Sequence, residues 1–229
     1  MICQLFVFRH SESIDNRNGV FSGWRNPGLT SEGFVQAQKI AKQLELYKID
    51  YAFTSHLKRA TQTLNVVLKT RANIHVFVDD RLIERCYGLL QGKSKKTIEQ
   101  QDPQLYNQFH RGYCVAPPEG ESMAMVESRV IHFFAQLKAW LKQNPSNVAI
   151  SCHNNSIRVF RRIFESLNST QMCEVESPQD KAFIYNLDLG SPVNRQNQTV
   201  PRLKWKTVIL PRQVRLATDP KNSLKIYYY

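Results

Sequence analysis

The chain has 229 residues, a formal net charge of +12, 42% hydrophobic and 22% charged residues, which is enough to bury a full core and excludes a disordered chain. No apolar run approaches the ~18 residues a membrane helix needs, so a transmembrane reading is excluded. Five scattered cysteines (Cys3, Cys86, Cys114, Cys152 and Cys173) form no CxxC pair, which argues against a disulfide framework or a zinc site and for a reducing, cytoplasmic setting.

The opening run, Met1-Ile-Cys-Gln-Leu-Phe-Val-Phe8, has no leading positive charge and no small-residue cleavage site, and reads as a first strand over 2–8. Further strands are expected at 50–54, 74–78, 147–151, 182–187 and 206–210. Helical periodicity fills the gaps. A helix over 31–46 would bury Phe34, Ala37, Ala41 and Leu44, with Thr30 as N-cap. A second at 57–70 would bury Ala60, Leu64 and Val67, and a third at 121–143 Val126, Val130, Phe133, Leu137 and Trp140. A fourth at 155–167 would bury Ile157, Phe160 and Phe164. Alternating β and α predicts a largely parallel sheet with helices on both faces. The segment 84–120, rich in Gly, Gln, Lys and Pro, breaks the alternation and is expected to be a long irregular insertion carrying function. Residues 190–229 hold eight basic residues and one acid, Asp219. That tail is a solvated end, an electrostatic funnel for an anionic ligand, or a nucleic-acid contact. No zinc finger, RRM signature or heptad supports the last reading.

Ligands of open α/β sheets bind outside the carboxyl ends of the strands. Arg9 and His10 follow the first strand, Arg59 the second, Glu84 the third and His153 the fourth. None is specific alone; their coincidence at four strand ends carries the weight. The set suits phosphoryl transfer through a histidine. Neutral imidazole is a nucleophile near neutral pH, arginines hold the equatorial phosphoryl oxygens, and a carboxyl such as Glu84 can protonate the leaving oxygen. Fixed cations do the electrostatic work, so no metal is expected. Gly88-Leu-Leu-Gln-Gly92-Lys93-Ser94 imitates a P-loop but has three residues between its glycines where four are needed.

Together these residues resemble the histidine phosphatase superfamily and, within it, the 2,3-bisphosphoglycerate-dependent phosphoglycerate mutases. Arg9-His10-Ser-Glu-Ser13 with Asn16 is similar to the family's Arg-His-Gly-Glu-Ser stretch, and Phe21-Ser22-Gly23-Trp24 continues it. Thr54-Ser55-x-Leu57-x-Arg59-Ala60, Arg81-Leu82-x-Glu84-Arg85-x-Tyr87-Gly88-x-Leu90-Gln91-Gly92-x-x-Lys95, Pro117-Pro118-x-Gly120-Glu121-Ser122 and Ser151-x-His153-x-Asn155-Ser156-x-Arg158 complete the match over about 1–190. The resemblance implies a three-layer α/β/α sandwich with a mostly parallel six-stranded sheet, in one domain over 1–229. It implies that His10 becomes phosphohistidine, that Arg9, Arg59 and His153 bind the phosphoryl group, and that Glu84 is the proton donor. Asn16, Ser22, Gly23, Arg85, Tyr87, Lys95, His110, Arg111, Asn154 and Asn155 are the implied substrate-binding residues, and 2,3-bisphosphoglycerate the implied phosphoryl primer.

Ser11 and Asn154 stand where the family has glycine, His110-Arg111 where it usually has two arginines, and Asp180 in a segment expected near the pocket, where it would add negative charge if it faced the phosphate. The expected activity is interconversion of 3- and 2-phosphoglycerate. A phosphatase using the same histidine is the second reading, and a weakened member binding a partner through its basic tail the third. The expected partner is a small phosphorylated substrate, with neither membrane nor nucleic acid, and a homodimer is carried as the assembly.

Overall fold

The apolar start pairs as β1 (Ile2–Arg9), the second strand of a six-stranded sheet. The computed structural model describes residues 1–190 and the backbone of 206–208. In chain order β1 is followed by a single turn, α1 (Ile14–Arg17), then α2 (Ser31–Gln43), β2 (Tyr51–Thr54), α3 (Lys58–Leu68) and β3 (His75–Val78). Next come α4 (Lys95–Gln101), α5 (Pro103–Arg111), α6 (Met123–Gln143), β4 (Val148–Cys152), α7 (Asn154–Glu165), α8 (Ser169–Glu174), β5 (Ala182–Asp188) and β6 (Lys206–Val208). The sheet order is β5-β1-β4-β2-β3-β6. The four inner strands are parallel, and β5 and β6 run antiparallel at the two edges. The expected architecture therefore holds.

Inner strands read as near-continuous apolar runs because both their faces are covered. Along β1 the side chains alternate between two cores. Leu5 and Val7 join Phe133, Phe160, Ile150 and Phe53 beneath α6 and α7, while Phe6 and Phe8 join Ile40, Leu44, Leu64 and Val67 beneath α2 and α3. Truncating a fully buried ring such as Phe133 or Phe6 would cost about 3–5 kcal/mol. The helix after β1 covers one face and the helix after β4 the other. Since β1 and β4 are neighbours, with Arg9 opposite Cys152, a crevice opens between their carboxyl ends.

Thr30 caps α2 as expected, its Oγ1 accepting from Gly33 N at 3.0 Å. The buried stripe is Gly33, Ala37 and Ile40, whereas Phe34 is 40% exposed. The register is set by Gly33, where an added Cβ would lie 2.1 Å from the carbonyl oxygen of Glu12. The stretch 84–120 is less irregular than expected, holding α4 and α5. Asp102 ends the first and caps the second, accepting from Leu105 N at 2.8 Å, with Pro103 at the favoured first position. Apart from Gly190 and the backbone of β6, the basic segment 190–229 lies outside the described residues. No helix among them is long and apolar enough to cross a membrane.

Candidate active site

At the crevice, β1 delivers Arg9 and His10. His10 Nδ1 lies 2.8 Å from the carbonyl oxygen of Ser11. A carbonyl only accepts, so the proton sits on Nδ1 and the lone pair on Nε2. Arg59, at the start of α3, donates its Nε–H to that Nε2 at 3.1 Å, while its two Nη groups donate to the carbonyls of Arg25 and Gly23. Burial, then the charges of Arg59 and Arg9, push the His10 pKa well below its usual value. The ring is thus neutral, with one nucleophilic nitrogen held against a guanidinium.

His153 leaves the end of β4, its ring centroid 5.1 Å from that of His10. Its Nε2 is 2.7 Å from Ser55 Oγ, which follows β2. Leu57 N donates to the same hydroxyl oxygen, so the hydroxyl hydrogen can point at Nε2 and leave the ring proton on Nδ1. Among the described residues, buried Nδ1 of His153 and Nε of Arg9 have no hydrogen-bond partner. Two such donors beside His10 are what a desolvated anion would satisfy. Burial, with Arg59 next, also drives the His153 pKa well down.

Glu84 enters from the loop after β3. Its Oε1 accepts from Arg85 N at 2.8 Å and from Asn155 Nδ2 at 2.9 Å, and Asn155 also donates to the Tyr87 hydroxyl at 3.2 Å. The carbonyl of Glu84 is held by Trp24 Nε1 at 2.8 Å and Arg129 Nη2 at 3.1 Å. Ligand atoms of His10, Glu84 and His153 lie within 4.8 Å of one another. That composition could hold a divalent cation, but Arg59 already sits on the His10 lone pair. The cluster suits an anion better.

A cavity of about 200 Å³ opens onto this cluster. Of the expected residues, Arg9, His10, Asn16, Ser22, Gly23, Glu84, Tyr87, Lys95, His110, Asn154 and Asn155 line it. Arg59 and His153 are not among the lining residues but adjoin His10, the first at its Nε2 and the second with its ring centroid 5.1 Å away. The His110 pKa falls to about 3 through burial and the charges of Lys95 and Arg111, so this ring too is neutral. Two expected anion holders do not line it and are taken up by acceptors of the protein itself. Arg85 is fully buried and donates to the carbonyls of Glu121 and Val115, tying down the 115–121 loop. Arg111 pairs with Glu176 at 2.7 Å and donates to the carbonyl of Cys173. Asp180 does not line the cavity and pairs with Lys39 of α2 at 3.6 Å.

Sequence reasoning missed Val20, Arg158 and Glu176 as lining residues, and Ser55 as the partner of His153. Arg158 was visible as part of the His153-x-Asn155-Ser156-x-Arg158 run. One turn into α7, it bonds Asn155 Oδ1 at 2.8 Å.

Residues 5–198 match the histidine phosphatase superfamily, branch 1. The chain belongs to that superfamily. A 2,3-bisphosphoglycerate-dependent phosphoglycerate mutase of Pseudoalteromonas atlantica is 31% identical over 218 residues, covering 82% of this chain and 96% of that protein. The α-ribazole phosphatase of Shigella flexneri has the same fold, with a TM-score of 0.69 and 24% identity over 84% of this chain and 91% of its own. A mycobacterial glucosyl-3-phosphoglycerate phosphatase does so with a TM-score of 0.70 and 22% identity over 81% of this chain and 90% of its own.

Proposed function

We propose that the protein is a phosphoglycerate mutase, moving a phosphoryl group between the 3- and 2-positions of glycerate through phosphohistidine at His10. The observation that carries the phosphoryl transfer is the neutral His10 ring with Nε2 unprotonated, set among Arg9, Arg59 and His153. The relatives near 30% identity that bear the mutase name support the choice of substrate. In the forward step Nε2 attacks phosphorus, the ester P–O bond breaks, and the leaving oxygen takes its proton from Glu84. In the return step a glycerate hydroxyl gives its proton to Glu84 and its oxygen attacks the phosphohistidine. Arg9, Arg59 and the Nδ1–H of His153 hold the equatorial oxygens. The primer 2,3-bisphosphoglycerate would supply the first phosphoryl group, and the unpartnered donors on Arg9 and His153 fit such an anion. Lys95 lies in the cavity wall for the substrate's second charge. The free thiols of all five cysteines suit the cytoplasm.

The test is a coupled assay with 3-phosphoglycerate and catalytic bisphosphoglycerate. The expected result is 2-phosphoglycerate well above a His10→Ala control, and no excess over that control rejects the reading. A phosphatase with the same nucleophile is the second reading. It is favoured by the protein acceptors that already engage Arg85 and Arg111 and by the presence of one of them, the Glu176 carboxylate, in the cavity wall. Steady phosphate release from p-nitrophenyl phosphate without mutase turnover would select it.

A further inference from the structure

Glu176 lies between the end of α8 and β5, in a segment with no regular structure. It lines the same cavity as His10, and nothing in the phosphoryl chemistry uses it. Its Oε1 accepts from Arg111 Nη1 at 2.7 Å and Arg158 Nη2 at 2.9 Å, and its Oε2 from Asn154 Nδ2 at 2.9 Å. This is the hydrogen-bond pattern that two arginines and an amide would offer to a bound carboxylate or phosphate. Each arginine also has a second acceptor that does not involve the Glu176 side chain. Arg158, 1% exposed, also donates to the carbonyl of Val175 and to Asn155 Oδ1, and Arg111 to the carbonyl of Cys173. The acceptor is the loose member, with its side chain 53% exposed.

Burial works against charge on Glu176, yet Arg158 and Arg111 hold its carboxyl below the usual range. It is therefore an anion at neutral pH, paired with cations that hold further hydrogen bonds of their own.

We propose that Glu176 is a specificity-determining residue that holds the place of a substrate's second anionic group on Arg111, Arg158 and Asn154, so that an ester carrying such a group binds by displacing it. This rests on the reading of His10 as the phosphoryl acceptor and adds to it how the rest of the substrate is selected. An ester with a neutral remainder leaves the Glu176 pairs closed. One with a carboxylate must exchange one carboxylate for another and gains little from the arginines while Glu176 is present.

The test compares binding of 3-phosphoglycerate with that of glycerol 3-phosphate, which lacks the carboxylate, by titration calorimetry on the full chain and on Glu176→Gln. The glutamine keeps the size of the side chain and removes the competing charge. The expected result is that 3-phosphoglycerate gains about tenfold relative to glycerol 3-phosphate in the variant, the scale of one charge-assisted contact. Glu176→Asp, which keeps the charge, should retain the wild-type ratio, and a melting curve on each variant reports the fold. An unchanged ratio in a folded Glu176→Gln overturns the proposal, as does no detectable binding of either ester to either protein. A His10→Ala variant that still transfers phosphate would sink the nucleophile reading instead, whatever the binding ratio shows.

Discussion

Around His10 the ring and both arginines are tied to backbone carbonyls, whereas across the cavity the charged side chains mostly answer one another. On the first side, His10 is tied to the carbonyl of Ser11, Arg59 to those of Gly23 and Arg25, and Arg9 to that of Ser177. On the second, Arg111, Arg158 and Asn154 converge on the Glu176 carboxylate. Carbonyls cannot leave and cannot be replaced by substrate; a half-exposed carboxylate can. On the proposed function, the strand-end cradle is preorganised for one group, a phosphoryl, and the opposite wall selects the molecule that carries it.

The largest expected effect breaks the cradle itself. His10→Ala should lower phosphoryl transfer from every ester by at least about a thousandfold, since the neighbouring imidazole, His153, has its Nε2 engaged by Ser55. Rapid quench with labelled phosphate ester should find no acid-labile protein phosphate in the variant. Equal labelling of wild type and variant would move the nucleophile elsewhere.

Next in size is the response to acid, and it spans both sides. His10 and His153 are held neutral chiefly by burial, with the arginines adding to it, and so is His110 in the wall, with a pKa of about 3. A histidine whose folded pKa is lowered binds fewer protons folded than unfolded. Its contribution is fully present above the unfolded value near 6.5 and is lost as pH falls below it, by up to about 1.4 kcal/mol per pH unit for each ring. Three such rings predict a steep fall in denaturant midpoint between about pH 6.5 and 5. His110→Gln should flatten that slope by one proton and leave the remainder in the cradle. A midpoint independent of pH across that window would contradict neutral burial of all three.

Smaller again is Ser55→Ala. It removes the 2.7 Å partner of His153 Nε2 but leaves every wall residue intact. The ring loses its fixed orientation, and kcat should drop about tenfold for all esters alike, the scale of one buried hydrogen bond. A loss confined to phosphoglycerate would place His153 with the wall, and no loss would remove Ser55 as a positioning residue.

The two sides also differed in how far the sequence exposed them. His10, Arg59, Glu84 and His153 were legible because a parallel strand must end where its carboxyl edge meets the crevice, and the first residues beyond it have few directions to take. The 84–120 stretch has no such constraint. Glu84 and Arg85 are neighbours, yet one faces the cavity and the other turns into the 115–121 loop. No periodicity tells the two apart. The helices α4 and α5 were missed because they are short and polar, although Ser94 and the Asp102-Pro103 pair were readable caps. Asp180 stands clear of the cavity and Glu176 enters it, with partners outside their own segment: Lys39 of α2 pairs with the first and Arg158 of α7 with the second.

The finest test of the division is Lys95→Gln. Lys95 lines the cavity, its ammonium lies 5.7 Å from the centroid of the Phe21 ring, and no ion-pair partner for it stands among the described residues. Burial and, next, Arg9 lower its pKa, so its charge is held in place at a cost that an anionic substrate would offset. If it serves the substrate's second charge, the glutamine should raise KM for 3-phosphoglycerate about three- to tenfold, on the order of 1 kcal/mol, and leave kcat near the wild-type value. For p-nitrophenyl phosphate, whose remainder is neutral, KM should move little. An equal rise for both esters would mean that Lys95 reaches the transferring phosphoryl group itself. The boundary between cradle and wall would then have to be drawn on the far side of α4, leaving Glu176 and its arginines as the whole of the selective surface.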